Sequence, residues 1–305
     1  MFLEILPRVA FLIAVSLLGW YAGRKFKINS RDITSLLIYV FSPIVCFVLI
    51  LKSPADVSYV MYSVVFYVVS CIAALLAFGV GKLLWKDNRA NLFGAAGGQG
   101  NVGYFVLPLA IGMLQGTQYG AEAIGIVVFA KVASSIYEFT MAFYLTARGR
   151  YSVRHSLILV ARMPTLHAAI LALIAKYFGF VIPNFLSSGL EGFTGGYSIL
   201  GMMIIGMSLA KFDKLIPDWR FIFYSIVWKH VIYAAAIITL FSHLLHLSQA
   251  ENIVMVMLAC NPLAGNIAAV ATALDVHPEK AACAIMVSTL LAIITVPLTL
   301  TLVLS

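Results

Sequence analysis

The sequence predicts an all-α membrane protein whose ten transmembrane helices form a 5+5 inverted repeat, with broken helices in the fourth and ninth places. Three observations predict it. Of the 305 residues, 62% are hydrophobic and 10% charged, far from the roughly 45–50% apolar and about 25% charged of soluble domains. Apolar runs of about 20 residues, the length that crosses roughly 30 Å of hydrocarbon, recur along the whole chain. Glycines, prolines and amides interrupt the fourth and ninth of these runs. Mean hydropathy is +1.01.

The first span, 2–23, opens MFLEILPRVAFLIAV. Glu4 stands where a signal peptide carries basic residues, and small residues of a cleavage site are missing before Trp20, so a retained helix is expected. Spans 32–51 and 57–84 follow, the latter long enough to tilt. The fourth, 90–114, contains GGQGNVGYFVLP; the fifth, 121–146, carries Lys131 and Glu138. Spans 157–177, 185–210 and 219–247 come next. The ninth, 252–274, contains CNPLAGN, and 280–303 closes the series. The runs are continuous rather than alternating over about 10 residues, which excludes a β-barrel. The connections are short, so residues 1–305 read as a single transmembrane domain: repeat one at 1–147, a basic loop at 148–156 and repeat two at 157–305.

The net charge is +8, and its placement gives its meaning. Arg24, Lys25, Lys27 and Arg31 fall in the first loop, Lys82, Lys86 and Arg89 in the third, Arg148, Arg150, Arg154 and Arg162 in the fifth, and Lys211, Lys214 and Arg220 in the seventh. The even loops offer Lys52 and Lys176. This alternation follows the positive-inside rule, placing odd loops in the cytoplasm and both termini outside. The basicity encodes orientation in a lipid bilayer, and nucleic acid is not implied.

An odd number of spans per half inverts the second half relative to the first, the plan of many secondary transporters, whose sites lie where the halves meet. Non-helical backbone inside a bilayer survives only where protein or a water-filled cavity satisfies its polar groups. Interruptions at matching places in two halves therefore mark a candidate site. Gly97, Gly98, Gly100 and Gly103 are expected to adopt conformations that other residues resist. Pro108 removes the N–H that would reach the Tyr104 carbonyl, and Gln99 and Asn101 offer amide donors. Asn261-Pro262 reads as the N-cap and first residue of a half-helix, whose free N–H groups would attract an anion. Asn266 follows. Two amide-bearing breaks suit a carboxylate. The alternative is architectural, with glycines for close helix packing and proline for a kink.

Lys131 lies near the middle of the fifth span, where a cation costs at least roughly 2.5–3.5 kcal/mol. It is a candidate counter-charge for an anion. Glu138 lies seven residues on, too far for a helical pair at three or four residues; either residue is a candidate for a coupling proton, or for a structural tie. Lys229 and His230 are expected to be buried, with snorkelling open to Lys229. His167 is expected near the inner surface. His243 and His246 sit three apart, but without a third ligand they read as interfacial residues rather than a metal site. Gly192, Gly196, Gly201 and Gly206 read as a packing stripe, and Trp20, Tyr21 and Trp85 as interfacial anchors. Cys46, Cys71, Cys260 and Cys283 are scattered singly, as small apolar fillers. The sequence has no G-x-x-x-x-G-K-[ST] motif for a nucleotide, and its aspartates lie at span ends rather than as a mid-membrane pair. An enzyme is therefore not expected, nor any cofactor.

Four stretches carry a family resemblance. NVGYFVLPLAIGMLQG resembles the fourth transmembrane helix of auxin efflux carriers, and DVHPEKAACAIMVSTLLAIITVPL their last helix with its preceding loop. YVFSPIVCFVLI resembles their second helix and GMSLAKF the end of their seventh. The resemblance implies a ten-span inverted-repeat carrier of the kind shared with bile-acid and sodium–proton transporters, with helices four and nine crossing at the substrate. It carries Asn101, Pro108 and Pro262 over as site residues, with the Asn101 amide meeting a carboxylate. Plant members have a second proline in helix nine where this chain has Ile267, and a long central loop where this chain has a short basic one. The short loop is similar to the bacterial branch, associated with small organic acids such as malonate or malate. The expected function is export of a small organic anion from a bacterial cell across its inner membrane. A non-transporting ligand sensor is the alternative. The coupling ion, proton or sodium or neither, and a homodimeric state stay open.

Overall fold

The computed structural model describes residues 2–52, 60–148, 154, 158, 161–162, 164–210, 217–243 and 247–304. Helices account for nearly all of them: α1 (Phe2–Phe26), α2 (30–52), α3 (Val60–Leu84), α4 (Arg89–Gly97), α5 (Val102–Leu114), α6 (Gly120–Ala147), α7 (Pro164–Tyr177), α8 (Asn184–Ala210), α9 (Trp219–Phe241), α10 (Gln249–Cys260), α11 (Asn266–Leu274) and α12 (Pro278–Leu304). Each expected span holds helix. Among the described residues, seven helices are long and apolar enough to cross a membrane: α1, most of α2 (Asp32–Lys52), α3, α6, α8, α9 and α12. The fourth span is divided into α4 and α5 and the ninth into α10 and α11. His246 lies outside the described residues, as does most of the central basic segment.

The helices form because long apolar stretches satisfy their own backbone, and they pack through small residues. On α1 the buried positions Ile5, Val9, Leu12, Ser16 and Gly19 recur every three or four residues, making one face. That face meets α8. A Cβ at Gly19 would strike the Met203 backbone, one at Gly206 would strike the Ser16 carbonyl, and the Ser16 hydroxyl donates to the Met202 carbonyl at 2.7 Å. The α8 glycine stripe is thus partly a packing seam. Gly201 instead lies against the Tyr104 ring, and Gly192 faces open space.

The interior belongs to α4, α5, α6 and α10 to α12, where Ala95, Phe105, Ala133, Val256 and Ala271 are fully enclosed. The exterior is apolar, with Leu83 88% and Phe185 80% exposed. Aqueous surfaces rarely carry this much contiguous apolar area; hydrocarbon accommodates it.

Polar ties close the helix ends. Ser248 and Glu251 form a reciprocal capping box at the start of α10. Asp218 caps α9, accepting from the Phe221 N–H, and pairs with Arg89 at the start of α4 and Lys280 at the start of α12 at 2.9 and 3.2 Å. Burial pushes the Asp218 carboxyl up, but the Phe221, Arg89 and Lys280 hydrogen bonds outweigh it and hold the group below its ordinary value. Arg89 likewise lowers Asp87. One cluster so fastens three segments of distant sequence.

Candidate functional site

The two interruptions lie against each other. Residues 98–101 separate α4 from α5, and 261–265 separate α10 from α11. Gly100 and Leu263 pair as a single antiparallel bridge, and the Asn101 N–H donates to the Pro262 carbonyl at 2.8 Å. The Leu263 N–H donates to the Ser288 hydroxyl of α12 at 2.9 Å. The backbone groups freed by one break are thus partly satisfied by the other and partly by a serine, as burial requires.

Local chemistry decides where each helix resumes. Asn101 is the N-cap of α5, its Oδ1 accepting from the Tyr104 N–H at 3.1 Å. The first turn, Val102–Val106, is a π turn in which the Val106 N–H reaches the Asn101 carbonyl. Pro108 sits in the second position of the α-helical part that follows, where a missing N–H is cheap.

The second break departs from the sequence reading. Asn261-Pro262 does not begin a half-helix: Asn261 ends α10 in extended conformation, with φ −66° and ψ 153°, and α11 begins at Asn266. The cause is the pairing with the first break. Pro262 and Leu263 are committed to Asn101 and Ser288, so the chain runs extended before it coils again.

The break glycines also act differently from expectation. Among the described residues the positive-φ glycines are Gly116 and Gly179. Gly98 and Gly100 serve by lacking a Cβ. One built at Gly98 would meet the Tyr137 hydroxyl, and one at Gly100 would meet the Asn261 Oδ1 and the Pro262 carbonyl. Gly103 lies within the π turn, its missing Cβ facing the Tyr197 hydroxyl at 2.8 Å and the Lys131 stem at 3.4 Å.

Four amide atoms at the junction are buried without a hydrogen-bond partner: Gln99 Oε1, Asn101 Nδ2, and both Nδ2 and Oδ1 of Asn261. Each such atom costs about 1–3 kcal/mol. Gln99 offers no free donor, since its Nε2 donates to the Ser134 carbonyl at 3.1 Å and lies 3.5 Å from Glu138, and only its acceptor oxygen is left over.

Around Asn101 and Asn266 a small polar cavity of about 10 Å³ is lined by Tyr104, Lys131, Glu138 and Tyr197, room for roughly one water. The structure does not join Lys131 to Glu138. Lys131 Nζ donates to Ser42 and Ser135 at 2.9 and 3.1 Å and lies 5.5 Å from the Tyr197 ring centre. Glu138 accepts from Asn266 Nδ2 at 2.8 Å. Separate hydrogen bonds thus hold the two side chains on different walls of the cavity.

Tyr104, Tyr197, Ser42 and Ser288 were not legible as site residues in the sequence. Tyr104 stands inside the quoted glycine-rich run, which is a signal of a sort; Tyr197 sits in the glycine stripe of α8, which reads as packing. The two rings lie 5.2 Å apart. A larger apolar cavity, about 590 Å³, opens among α1, α2, α5, α6 and α8. Pro108 and Ser198 line it, whereas Tyr104 and Tyr197, neighbours on the same two helices, line the small one. At the rim of the larger cavity Lys52 pairs with Glu191 at 2.5 Å.

A family model described as a membrane transport protein matches residues 4–300. No curated protein matches the chain.

Proposed function

Because the chain belongs to the membrane transport protein family, that of the auxin efflux carriers, we propose that it exports a small organic anion, such as a dicarboxylate, by alternating access. The observation that carries this reading is the trio of unpartnered amide atoms on Asn101 and Asn261 where the two breaks meet. Amide N–H donors held in a dry interior are recognition groups for a carboxylate, and an unmatched donor there costs free energy until a ligand accepts from it. Asn101, Gly100, Gly103, Pro108, Asn261, Pro262 and Asn266 form the substrate contact region, with Lys131 as counter-charge.

The cavity at the breaks, about 10 Å³, is far too small for a dicarboxylate. Substrate enters when the junction parts from the wall formed by α2 and α8, and the 590 Å³ space is the vestibule from which it arrives. In this reading the ten spans, with α4–α5 and α10–α11 each counted as one, are two inverted sets of five whose fourth and ninth members cross at the substrate, and both termini lie outside the inner membrane of a bacterial cell. An inside-negative potential favours outward movement of an anion by about 2.3 kcal/mol per charge per 100 mV.

Reconstitution in liposomes tests the proposal, with a panel of labelled mono- and dicarboxylates including malonate and malate, with and without pH or sodium gradients. Saturable uptake of at least one dicarboxylate is expected. Saturation by none of them, from protein that remains folded in the vesicles, overturns the reading.

A further inference from the structure

Lys229 lies in a π turn of α9, fully enclosed, and its Nζ has no hydrogen-bond partner. Among the described residues it is the one ammonium, guanidinium or carboxylate atom buried in that condition. The other ionisable groups of the interior are provided for. Lys131 has two serine hydroxyls and Glu138 two amides. His230 is part of a complete chain: the Leu263 N–H donates to Ser288, Ser288 Oγ lies 2.8 Å from His230 Nε2, His230 Nδ1 lies 3.1 Å from Thr295 Oγ1, and Thr295 donates to the Leu291 carbonyl. Because Ser288 is already accepting and Thr295 already donating, the chain closes with a neutral imidazole carrying its hydrogen on Nδ1.

Lys229 has instead the face of the Tyr233 ring, 3.7 Å from Nζ to the ring centre. Such a contact offsets only part of the cost of burying an ion without acceptors. The titratable groups facing it are Cys260 from α10, Tyr137 from α6 across Tyr233, and His230 and Tyr233 from α9 itself. On either side of Lys229 along the chain, Trp228 donates to the Gly97 carbonyl of α4 and His230 bonds Ser288 of α12. All of these are ordinarily uncharged at neutral pH, His230 by its hydrogen bonds. A proton on Lys229 thus lacks a counter-charge in the closed state. Cys260, which faces Lys229, is the last residue of α10 and immediately precedes Asn261, where the proposed anion binds.

We propose that Lys229 is a proton-binding site of the carrier, its amine nitrogen taking up a proton when an anion enters the breaks and releasing it when the anion leaves. This rests on the anion-carrier reading. The anion supplies the missing counter-charge, and binding is reciprocal, so acid alone also loads the site and tightens anion binding. Anion and proton move together, and a dianion so carried transfers a single net negative charge.

Pre-steady-state charge displacement on a solid-supported membrane tests this without any substrate. Proteoliposomes are jumped from mildly alkaline to mildly acid buffer. Wild type is expected to give a transient that falls about tenfold in Lys229→Met. A wild type without a transient, or a Lys229→Met transient of wild-type size, overturns the proposal. Replacing an unpaired buried charge by an apolar side chain is neutral or stabilising, so Lys229→Met is expected to stay folded in gel filtration; Lys229→Gln is the second variant if it does not. Labelled malonate counterflow is the separate arm. It is expected to weaken in Lys229→Met and to lose its stimulation by a pH gradient. Absence of malonate counterflow in wild type counts against the dicarboxylate reading, whereas the pH jump alone decides whether Lys229 binds the proton.

Discussion

Gly100 stands so close to Asn261 that a methyl group on it would coincide with the Asn261 Oδ1 and the Pro262 carbonyl. The two breaks touch at this point through backbone and through the Asn261 side chain, with no room for a further atom on Gly100. Gly100→Ala is expected to force them apart, breaking the Asn101 to Pro262 hydrogen bond and lowering stability by about 1–3 kcal/mol. Thermal unfolding in detergent measures it. A wild-type midpoint would show that the junction is loose.

Asn101 and Asn261 are expected to separate stability from function. Asn101→Ala removes the N-cap of α5 and costs about 1 kcal/mol. Asn261→Ala removes two atoms that have no partner, so its unfolding midpoint stays level or rises. Both variants are expected to lose saturable dicarboxylate uptake. If Asn261→Ala transports normally, the junction is not the binding site.

Ser288 accepts from the one N–H that the second break turns toward α12. Ser288→Ala leaves that Leu263 N–H unsatisfied, an expected loss of about 1–3 kcal/mol, and releases His230 from its serine partner. Ser288→Thr, which keeps the hydroxyl, is expected to recover most of the loss. Equal midpoints for Ser288→Ala and wild type would sink this account.

The Asp218 cluster gives the protein a pH dependence outside the membrane. Its carboxyl is held below the ordinary value by Phe221, Arg89 and Lys280 against the opposing effect of burial. A lowered folded value contributes stability that is complete above the unfolded value, near pH ~3.9, and is lost as pH falls through the folded one. Asp218→Asn keeps a capping side chain and removes the charge, at an expected cost of about 1 kcal/mol at neutral pH. The gap between the two proteins should close as the pH is lowered past ~3.9. A gap constant in pH would mean that the charge is irrelevant.

The sequence by itself determined the helices and the position of both breaks. A hydrocarbon surround permits little other than self-satisfied helix, and Gly97 to Pro108 and Cys260 to Asn266 are visibly unfit for a plain apolar one. Only the tertiary structure decided what the breaks do. Asn261-Pro262 has the local signature of a helix start, yet the Asn101 N–H, from the other half of the chain, and the Ser288 hydroxyl, 25 residues beyond Leu263, hold the following residues extended from outside any local pattern. The cross-helix partners of Lys131 and Glu138 were likewise undetermined by spacing, because they come from α2, α11 and the loop before α5. Local periodicity fixes which residues coil; long-range hydrogen bonds in a dry interior fix where coiling stops and which polar atoms are left for a ligand.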